Sequence, residues 1–238
     1  MRFFHLLSLL AVTSCSPASD LISAIPGDCR QLIFVTTPDW GESHGSLRLF
    51  ERTRADDRWK IIGRARDVLT GERGLAWGLG LHQVPATALR RKREGDRCAP
   101  AGIFRLVSAF GAGPQASTIK LPYRRVTADT EAIDDPRSRF YNQIVARSSV
   151  PKPDWKSSEK MALIPDYALG LVVAHNPRNQ PGAGSCIFLH LWLGDRRGTA
   201  GCTGLRKSDL EEIMAWLDPR QQPILIQLPR AEVPEGFR

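Results

Sequence analysis

The sequence predicts one mainly β domain, built on a single curved sheet that is sandwich-like or barrel-like and carries few helices. Seven short runs are rich in Val, Ile, Leu and Phe and are bounded by Gly, Pro, Asp or Asn, which is typical of strands. Only one segment has strong helical signals. The length of 238 residues allows one large domain or two small ones, and 42% apolar residues is too high a fraction for a disordered chain.

The predicted strands leave one long part of the chain without regular structure. They span residues 31–37, 46–51, 59–63, 102–107, 169–174, 186–192 and 223–228. The stretch 110–160 has many turn formers, little periodicity and several aromatic residues, which argue against disorder. We therefore expect it to form ordered loops that flank a cleft.

The helical segment lies near the C-terminus, over residues 208–217. Ser208 precedes Glu211 by three residues, which is the spacing of a capping box, and Pro219 follows the segment and ends it. Between them, apolar residues recur at i, i+3, i+4 and i+7 and define one buried face. These residues are Leu210, Ile213, Met214 and Leu217.

The N-terminus has the pattern of a secretion signal. Arg2 precedes a short apolar run over residues 3–12, which ends in small residues and is too short to span a bilayer. The sequence VTSC at 12–15 resembles the cleavage box of bacterial lipoproteins, in which the cysteine becomes acylated. We therefore expect a signal peptide over 1–14 and lipidation of Cys15, with a soluble secreted protein as the alternative.

Lipidation would attach the mature protein to a membrane in the periplasm. Ser16, rather than Asp, follows Cys15, which resembles lipoproteins that are sent to the outer membrane. Residues 15–30 are mostly small and polar and predict a tether. We expect a single domain over 31–230, a tail over 231–238, and a monomer.

The chain is basic, with 33 Lys and Arg against 25 Asp and Glu and a net charge of +8. This balance indicates an anionic partner. The run RRKR at 90–93 is the most concentrated basic stretch. Such a run is usually a solvated face. Among functional interpretations, the secretion signal argues against nucleic acid and favours contact with an anionic polymer of the cell envelope.

A glycine-flanked cysteine follows the predicted strand 186–192. Alternation along this strand places Cys186, Phe188 and His190 on one face. A polar turn then leads to Cys202. A cysteine in such a turn is open to substrate while backbone N–H groups point to the same place, as a thiolate nucleophile and its oxyanion require. A histidine within reach favours the thiolate, and His190 is the first choice, with His175 as the rival base.

Two segments together resemble a known family. FLH at 188–190 followed by TAGC at 199–202 is similar to the active-site signature of the L,D-transpeptidases with a YkuD-type catalytic domain. That signature is a histidine on a strand, then a Ser/Thr-His-Gly-Cys turn. Upstream, KREGD at 92–96 with PAGIF at 100–104 resembles the K-x-G-D-x-x-T-P-x-G-x-F segment of the same family. The resemblance covers residues 31–230.

The resemblance implies roles for the residues of the turn. Cys202 would be the nucleophile and His190 its general base, while the backbone around Gly201, with Ala200 and Thr199 in the same turn, would form the oxyanion site. The implied reaction is transfer of a peptidoglycan stem peptide through a thioester, which serves cell-wall cross-linking or remodelling.

Two positions differ from the family pattern and leave other functions open. Ala200 occupies the place of the usual second histidine, and Gly204 the place of a frequent arginine. The alternatives are a cysteine hydrolase (an L,D-carboxypeptidase or amidase) on the same peptides, and a non-catalytic lipoprotein that binds the wall. His175 and Trp77 are secondary candidates for substrate contact.

Five cysteines are an odd number, so in an oxidising compartment at least one lacks an internal partner. Two of Cys29, Cys98 and Cys186 can form a disulfide, and the sequence leaves the pairing open. A zinc site of Cys186, His190 and Cys202 is disfavoured because the usual C-x-x-C and H-x-x-x-H spacings are missing. We expect neither a metal nor a cofactor.

Overall fold

The computed structural model of the chain describes residues 21–194 and 197–237. Within these ranges most regular structure is strand. The strands are β1 (Gln31–Thr37), β2 (His44–Glu51), β3 (Lys60–Leu69), β4 (Leu75–Trp77), β5 (Ala99–Gly111), β6 (Tyr123–Arg125), β7 (Thr130–Ile133), β8 (Gln143–Ala146), β9 (Glu159–Lys160), β10 (Leu169–Val173), β11 (Phe188–Leu191), β12 (Thr203–Leu205) and β13 (Ile224–Pro229).

Helices are few and short in the same ranges. The α-helix α1 spans Lys207–Trp216, and residues 21–23 are also helical. Short 3-10 helices cover Arg147–Ser149, Met161–Leu163, Pro165–Ala168, Pro219–Gln221, Arg230–Glu232 and Glu235–Phe237. No helix in the described part of the chain is long and apolar enough to cross a membrane.

The main sheet closes on itself. Its strand order is β10-β11-β12-β3-β2-β1-β13-β5, and β10 also pairs with β5, which completes the ring. β4 and β6 extend the sheet from β5. Closure leaves the ring strands without an unpaired edge, and a twisted sheet with alternating apolar residues can close in this way. The predicted mainly β, barrel-like fold is confirmed.

The sheet is filled by the apolar residues that the strand periodicity predicts. The largest buried cluster takes its strand members from β1, β2, β3, β5, β10, β11, β12 and β13. The apolar face of α1 contributes to it as predicted, through Leu210, Ile213, Met214 and the following Leu217. The helix therefore packs against the same core as the strand that carries His190.

The helix begins differently from the prediction. Its N-cap is Arg206, whose side chain makes no capping bond, and Ser208 lies inside the first turn, so the predicted capping box is wrong. Asp209 takes the acidic place near the helix N-terminus, where the helix dipole favours a negative charge. Its buried carboxylate accepts a bond of 2.5 Å from Arg64, and the buried Arg66 of β3 lies 3.6 Å from it.

Both ends of the described chain, at residues 21–30 and 231–237, have side chains that pack on the barrel. Leu21 and Cys29 are buried in a second apolar cluster with residues of β1, β4, β5 and β13. Val233 joins the same cluster, and the ring of Phe237 stacks on Phe34 at 5.0 Å. The signal peptide 1–14 and Cys15 lie outside the described residues.

The stretch 110–160 contains more regular structure than predicted. β7, β8 and β9 form a separate three-stranded sheet with the order β8-β7-β9, and β6 pairs with β5. These strands have only two to four residues, too short for a two-residue periodicity to be recognised in the sequence. The small sheet forms one wall of a cavity, so the expectation that this stretch flanks a cleft is correct.

Candidate active site

A cavity of about 350 Å³ lies where the small sheet meets β11 and the turn before β12. Cys202 and His190 both line it, together with Thr199, Ala200 and Gly201. The five residues that the sequence places in the nucleophile turn and its base are therefore brought together in one cavity. Positions 195 and 196, within the polar turn, lie outside the described residues.

His190 is held on β11 in the middle of three paired strands. It lies opposite Gly170 of β10 and Gly204 of β12. Its Nδ1 is 2.8 Å from the carbonyl oxygen of Leu191. Because a carbonyl only accepts hydrogen bonds, this contact requires a proton on Nδ1, and in the neutral form of the ring the lone pair then lies on Nε2. Nε2 is the atom that a general base needs.

The register of β11 and β12 places the nucleophile beside the base. Leu189 pairs with Thr203 in parallel, so Cys202, which comes just before Thr203, lies next to Phe188. The Phe188 amide donates to the Cys202 sulfur at 3.2 Å. His190 follows Phe188 by two residues, and such residues share a face of a strand. The predicted alternation holds for Phe188 and His190 within β11. Cys186 precedes this strand and has a φ of 52°, so it is not part of the extended segment.

The turn before Cys202 is braced by a threonine and fixed to a neighbouring loop. The Thr199 hydroxyl donates to the Cys202 carbonyl oxygen at 2.6 Å and accepts from the Gly201 amide at 3.1 Å. The backbone of Thr199 bonds to Thr70 and Glu72 at 2.9 Å each. Gly201 has a φ of +152°, a conformation that favours glycine. The sequence places glycine there for this reason.

The same bonds correct the predicted oxyanion site. The Gly201 amide is used inside the turn by Thr199, so it does not point to a substrate. The amide of Cys202 remains as the candidate donor from the predicted pair. An N–H group stabilises an oxyanion only when it points to the position where the negative charge develops. An amide that is hydrogen-bonded within its own turn does not point there.

The Cys202 thiol is protonated at neutral pH. Its residue is 7% exposed, and burial, followed by the nearby Glu159 carboxylate, raises the pKa of the thiol to about 12. The Phe188 amide and Lys92 oppose this shift. A thiol in this state becomes nucleophilic when a base removes its proton during attack, and His190 lines the same cavity.

Carboxylates form much of the cavity wall, and the sequence analysis did not find them. They are Glu94, Asp134, Glu159 and Asp166. Asp134 and Glu159 belong to the stretch without periodicity, and no motif marks either of them. They come together because β7 and β9 pair and the chain after β7 turns towards β11. Only tertiary contacts identify these residues.

The basic run at 90–93 does not act as one exposed patch. The Arg90 guanidinium donates to the carbonyls of Trp40 at 2.6 Å and Arg73 at 2.8 Å. Lys92 is buried at the cavity wall, and its ammonium group lies 2.6 Å from Asp96. Arg91 and Arg93 are the exposed members. The Lys-x-Gly-Asp-like segment thus serves to place a paired lysine near the thiol.

Two predicted substrate contacts are contradicted by the structure. The His175 side chain is buried, with 2% of the residue exposed, and burial lowers its pKa to about 4. Its Nδ1 accepts a hydrogen bond from the Leu79 amide, and its Nε2 lies 3.0 Å from the Ala183 carbonyl oxygen. It is a core residue and does not line the cavity. Trp77 is 4% exposed and packs against Trp40 in the second apolar cluster. Periodicity alone does not distinguish such core aromatics from binding platforms.

The cysteines of the described residues are all free thiols, so the disulfide considered above does not form among them. Cys29 lies in the second apolar cluster and Cys186 in the cluster below the cavity, which keeps them apart. The Cys98 thiol faces the Arg90 guanidinium and the Arg73 carbonyl. Within residues 21–194 and 197–237, no group of three His, Cys, Asp or Glu side chains has the geometry of a metal site.

The comparison with protein families agrees with the geometry. The family model of the L,D-transpeptidase catalytic domain, YkuD, matches residues 47–226, which include the barrel strands from β2 to β13 and the whole cavity. The chain therefore belongs to the YkuD family, whose members are cysteine-dependent transpeptidases that act on peptidoglycan stem peptides. No curated protein and no solved structure matches the chain at a significant level.

Proposed function

We propose that this protein is a peptidoglycan L,D-transpeptidase that works through a thioester on Cys202. The observation that carries the proposal is the common cavity in which the sulfur of Cys202 and the ring of His190 lie on one face of adjoining strands. Membership of the YkuD family supplies the substrate class, a stem peptide with an L-configured third residue.

In the first step the enzyme is acylated. His190 Nε2 takes the thiol proton as the Cys202 sulfur attacks the amide carbonyl after the third residue of the donor stem. The carbon–nitrogen bond breaks, the amine of D-alanine leaves with the proton from His190, and the acyl group remains as a thioester. The Cys202 amide stabilises the oxyanion of the tetrahedral intermediate.

In the second step an amine of a neighbouring stem attacks the thioester. His190 removes the proton from the attacking amine and returns it to the sulfur, which leaves as the new amide forms. Water competes for the same thioester, so transfer requires an acceptor that is held in place in a largely enclosed site. Cys202 is buried at the wall of the cavity, which limits the access of water to a thioester there.

The direct test is incubation of the purified protein with tetrapeptide muropeptides, followed by mass spectrometry. Dimers joined through third residues and loss of D-alanine are the expected products, and Cys202→Ala abolishes them. Shortened stems without dimers would identify a hydrolase instead. The absence of both products, together with no carbapenem adduct on Cys202, would contradict the enzymatic proposal and favour a wall-binding protein.

Two further variants separate the nucleophile from other thiols. Cys29→Ala removes a buried thiol of the second apolar cluster, outside the cavity, and we expect unchanged product formation. Cys186→Ala removes the other thiol that lines the cavity. If product formation stops in Cys186→Ala and persists in Cys202→Ala, the assignment of the nucleophile is wrong.

We also propose that the protein works in the periplasm, anchored by a lipid on Cys15, at the outer membrane. The support is the sequence alone, through the apolar run and the VTSC box. Several acyl chains would give a firm attachment, since each buried CH₂ adds about 0.8 kcal/mol. Mass spectrometry of the N-terminal peptide tests this. A Cys15→Ala protein that still partitions with membranes through its N-terminus would contradict it.

A further inference from the structure

We propose that Glu159 is a positioning residue for the nucleophile: its charged carboxylate holds the Tyr167 hydroxyl and opposes the Cys202 thiolate, and its neutral form releases both. This inference rests on the proposed role of Cys202. It makes the reactivity of the cysteine depend on the protonation state of a side chain that is neither the nucleophile nor the base.

The pairing of β9 directs Glu159 into the cavity. Glu159 lies opposite Ala132 of β7, and Lys160 lies opposite Glu131. Neighbouring residues of a strand point to opposite faces, so Lys160 forms its ion pair with Glu131 on one side while Glu159 lines the cavity on the other. Lys160, the neighbouring residue in β9, therefore does not form an ion pair with the Glu159 carboxylate.

Tyr167 connects Glu159 with both proposed catalytic residues. Its hydroxyl donates to Glu159 Oε2 at 2.9 Å. Its ring packs edge-on against Phe188 at 5.3 Å and against His190 at 5.4 Å. Tyr167 also shares a buried cluster with Cys202. A tyrosine that is 6% exposed has little freedom to turn elsewhere.

The protonation state of Glu159 therefore decides how strongly its carboxyl group holds the Tyr167 hydroxyl. When Glu159 is ionised, its carboxylate takes the Tyr167 hydrogen bond, because a bond to a charged acceptor is the stronger one. The same charge repels a thiolate on Cys202. When Glu159 is protonated, the repulsion disappears and the Tyr167 hydroxyl can donate to the sulfur, which stabilises the thiolate.

The surroundings place this change near neutral pH. Burial, then the carboxylates of Asp134 and Glu94, raise the pKa of Glu159 to about 7, against the opposing bond from Tyr167. The charged and titratable groups that face Glu159 or share its cavity come from several elements. They are Asp134 after β7, Glu94 before β5, Asp166 and Tyr167 before β10, Cys186 before β11, and Cys202, His190 and Lys92.

The experiment measures the rate at which iodoacetamide alkylates Cys202 between pH 5.5 and 8.5, with the labelled peptide identified by mass spectrometry. In Glu159→Gln the amide keeps an acceptor for Tyr167 but removes the charge. We expect equal rates for this variant and the unchanged protein at pH 5.5, and roughly fivefold to tenfold faster labelling of the variant at pH 8. A purely structural role would give a ratio that does not depend on pH.

Two other variants complete the test. Tyr167→Phe keeps the ring contacts and loses the hydroxyl. We therefore expect slower labelling of Cys202 at pH 5.5, where Glu159 is protonated, and a smaller gain at pH 8 when Glu159→Gln is added. Glu51→Gln is the matched control, because Glu51 accepts a hydrogen bond from the Trp216 indole and lies outside the cavity. Its labelling rate should stay that of the unchanged protein at every pH.

A constant ratio for Glu159→Gln across the pH range overturns the proposal, as does slower labelling at pH 8. An undiminished gain in the Tyr167→Phe background overturns the part assigned to Tyr167. Labelling needs no peptidoglycan substrate. A protein that shows the expected labelling but forms no muropeptide product would therefore contradict the proposed function and leave this inference standing.

Discussion

Glu159 also determines how the stability of the fold responds to pH. Its pKa rises from 4.5 to about 7 in the folded protein, chiefly through burial. A carboxyl with a raised pKa binds its proton more tightly in the folded state than in the unfolded state. Its contribution to stability is therefore fully present below pH 4.5 and is lost as the pH rises to 7.

The size of this loss follows from the shift. One pKa unit corresponds to about 1.4 kcal/mol, so ionising Glu159 costs the folded state up to about 3 kcal/mol between pH 4.5 and pH 7. Glu159→Gln does not ionise and keeps an acceptor for the Tyr167 hydroxyl. We expect this variant to gain stability over the unchanged protein by up to about 3 kcal/mol as the pH rises through this window.

Urea denaturation followed by tryptophan fluorescence at pH 5, 6, 7 and 8 measures the difference between the two proteins. The difference should grow up to pH 7 and then level off. Parallel stability curves over the whole range would refute the reasoning, because they would mean that Glu159 ionises at the same pH in the folded and unfolded chains.

Three further predictions concern the core and the turn. Arg66→Met should lower the free energy of unfolding in urea by about 3 kcal/mol, because it leaves the buried Asp209 without one of its two cations. Gly201→Ala should lower the free energy of unfolding by about 1–3 kcal/mol and slow carbapenem acylation at least tenfold, because the φ of +152° at this position disfavours a side chain. An unchanged acylation rate would contradict this prediction. Burial lowers the pKa of His82 to about 4, so its contribution to stability, present above pH 6.5, is lost as the pH falls to 4. His82→Asn keeps an acceptor for the Ile103 amide but cannot take up a proton. The decrease in the free energy of unfolding between pH 7 and pH 4, measured in urea, should therefore be smaller in this variant by up to about 3 kcal/mol.

The strands and the nucleophile turn were predictable because their signals are local. β1 spans the seven residues that composition and bounding residues predict, and the turn at 199–202 combines a small-residue bend with the only cysteine flanked by glycine on one side and threonine on the other. The helix start was mispredicted. Ser208 fits a capping box in spacing, but the helix begins earlier, with Arg206 as its N-cap, and Asp209 near its start binds Arg64 and the buried Arg66 of β3.

His175 and Trp77 show why side-chain chemistry was less predictable than strand position. Both residue types occur in binding sites and in cores, and the sequence does not report burial. The chain around His175 turns back so that both ring nitrogens meet backbone groups, at Leu79 and Ala183. Such bonds join residues up to 96 positions apart, beyond the reach of any local pattern.

The sequence by itself determined the mainly β class and the motifs that resemble the YkuD family, and this resemblance implied the pair of Cys202 and His190. The β class depends on alternation within a few residues. Only the tertiary structure decided what surrounds that pair. Glu159 and Tyr167 come from a short strand and a 3-10 helix without recognisable periodicity. The pairing of β9 with β7 and the packing of the 3-10 helix against β11 bring them to the cavity. Their effect on Cys202 arises from burial and from charges that are distant in sequence, which no local pattern encodes.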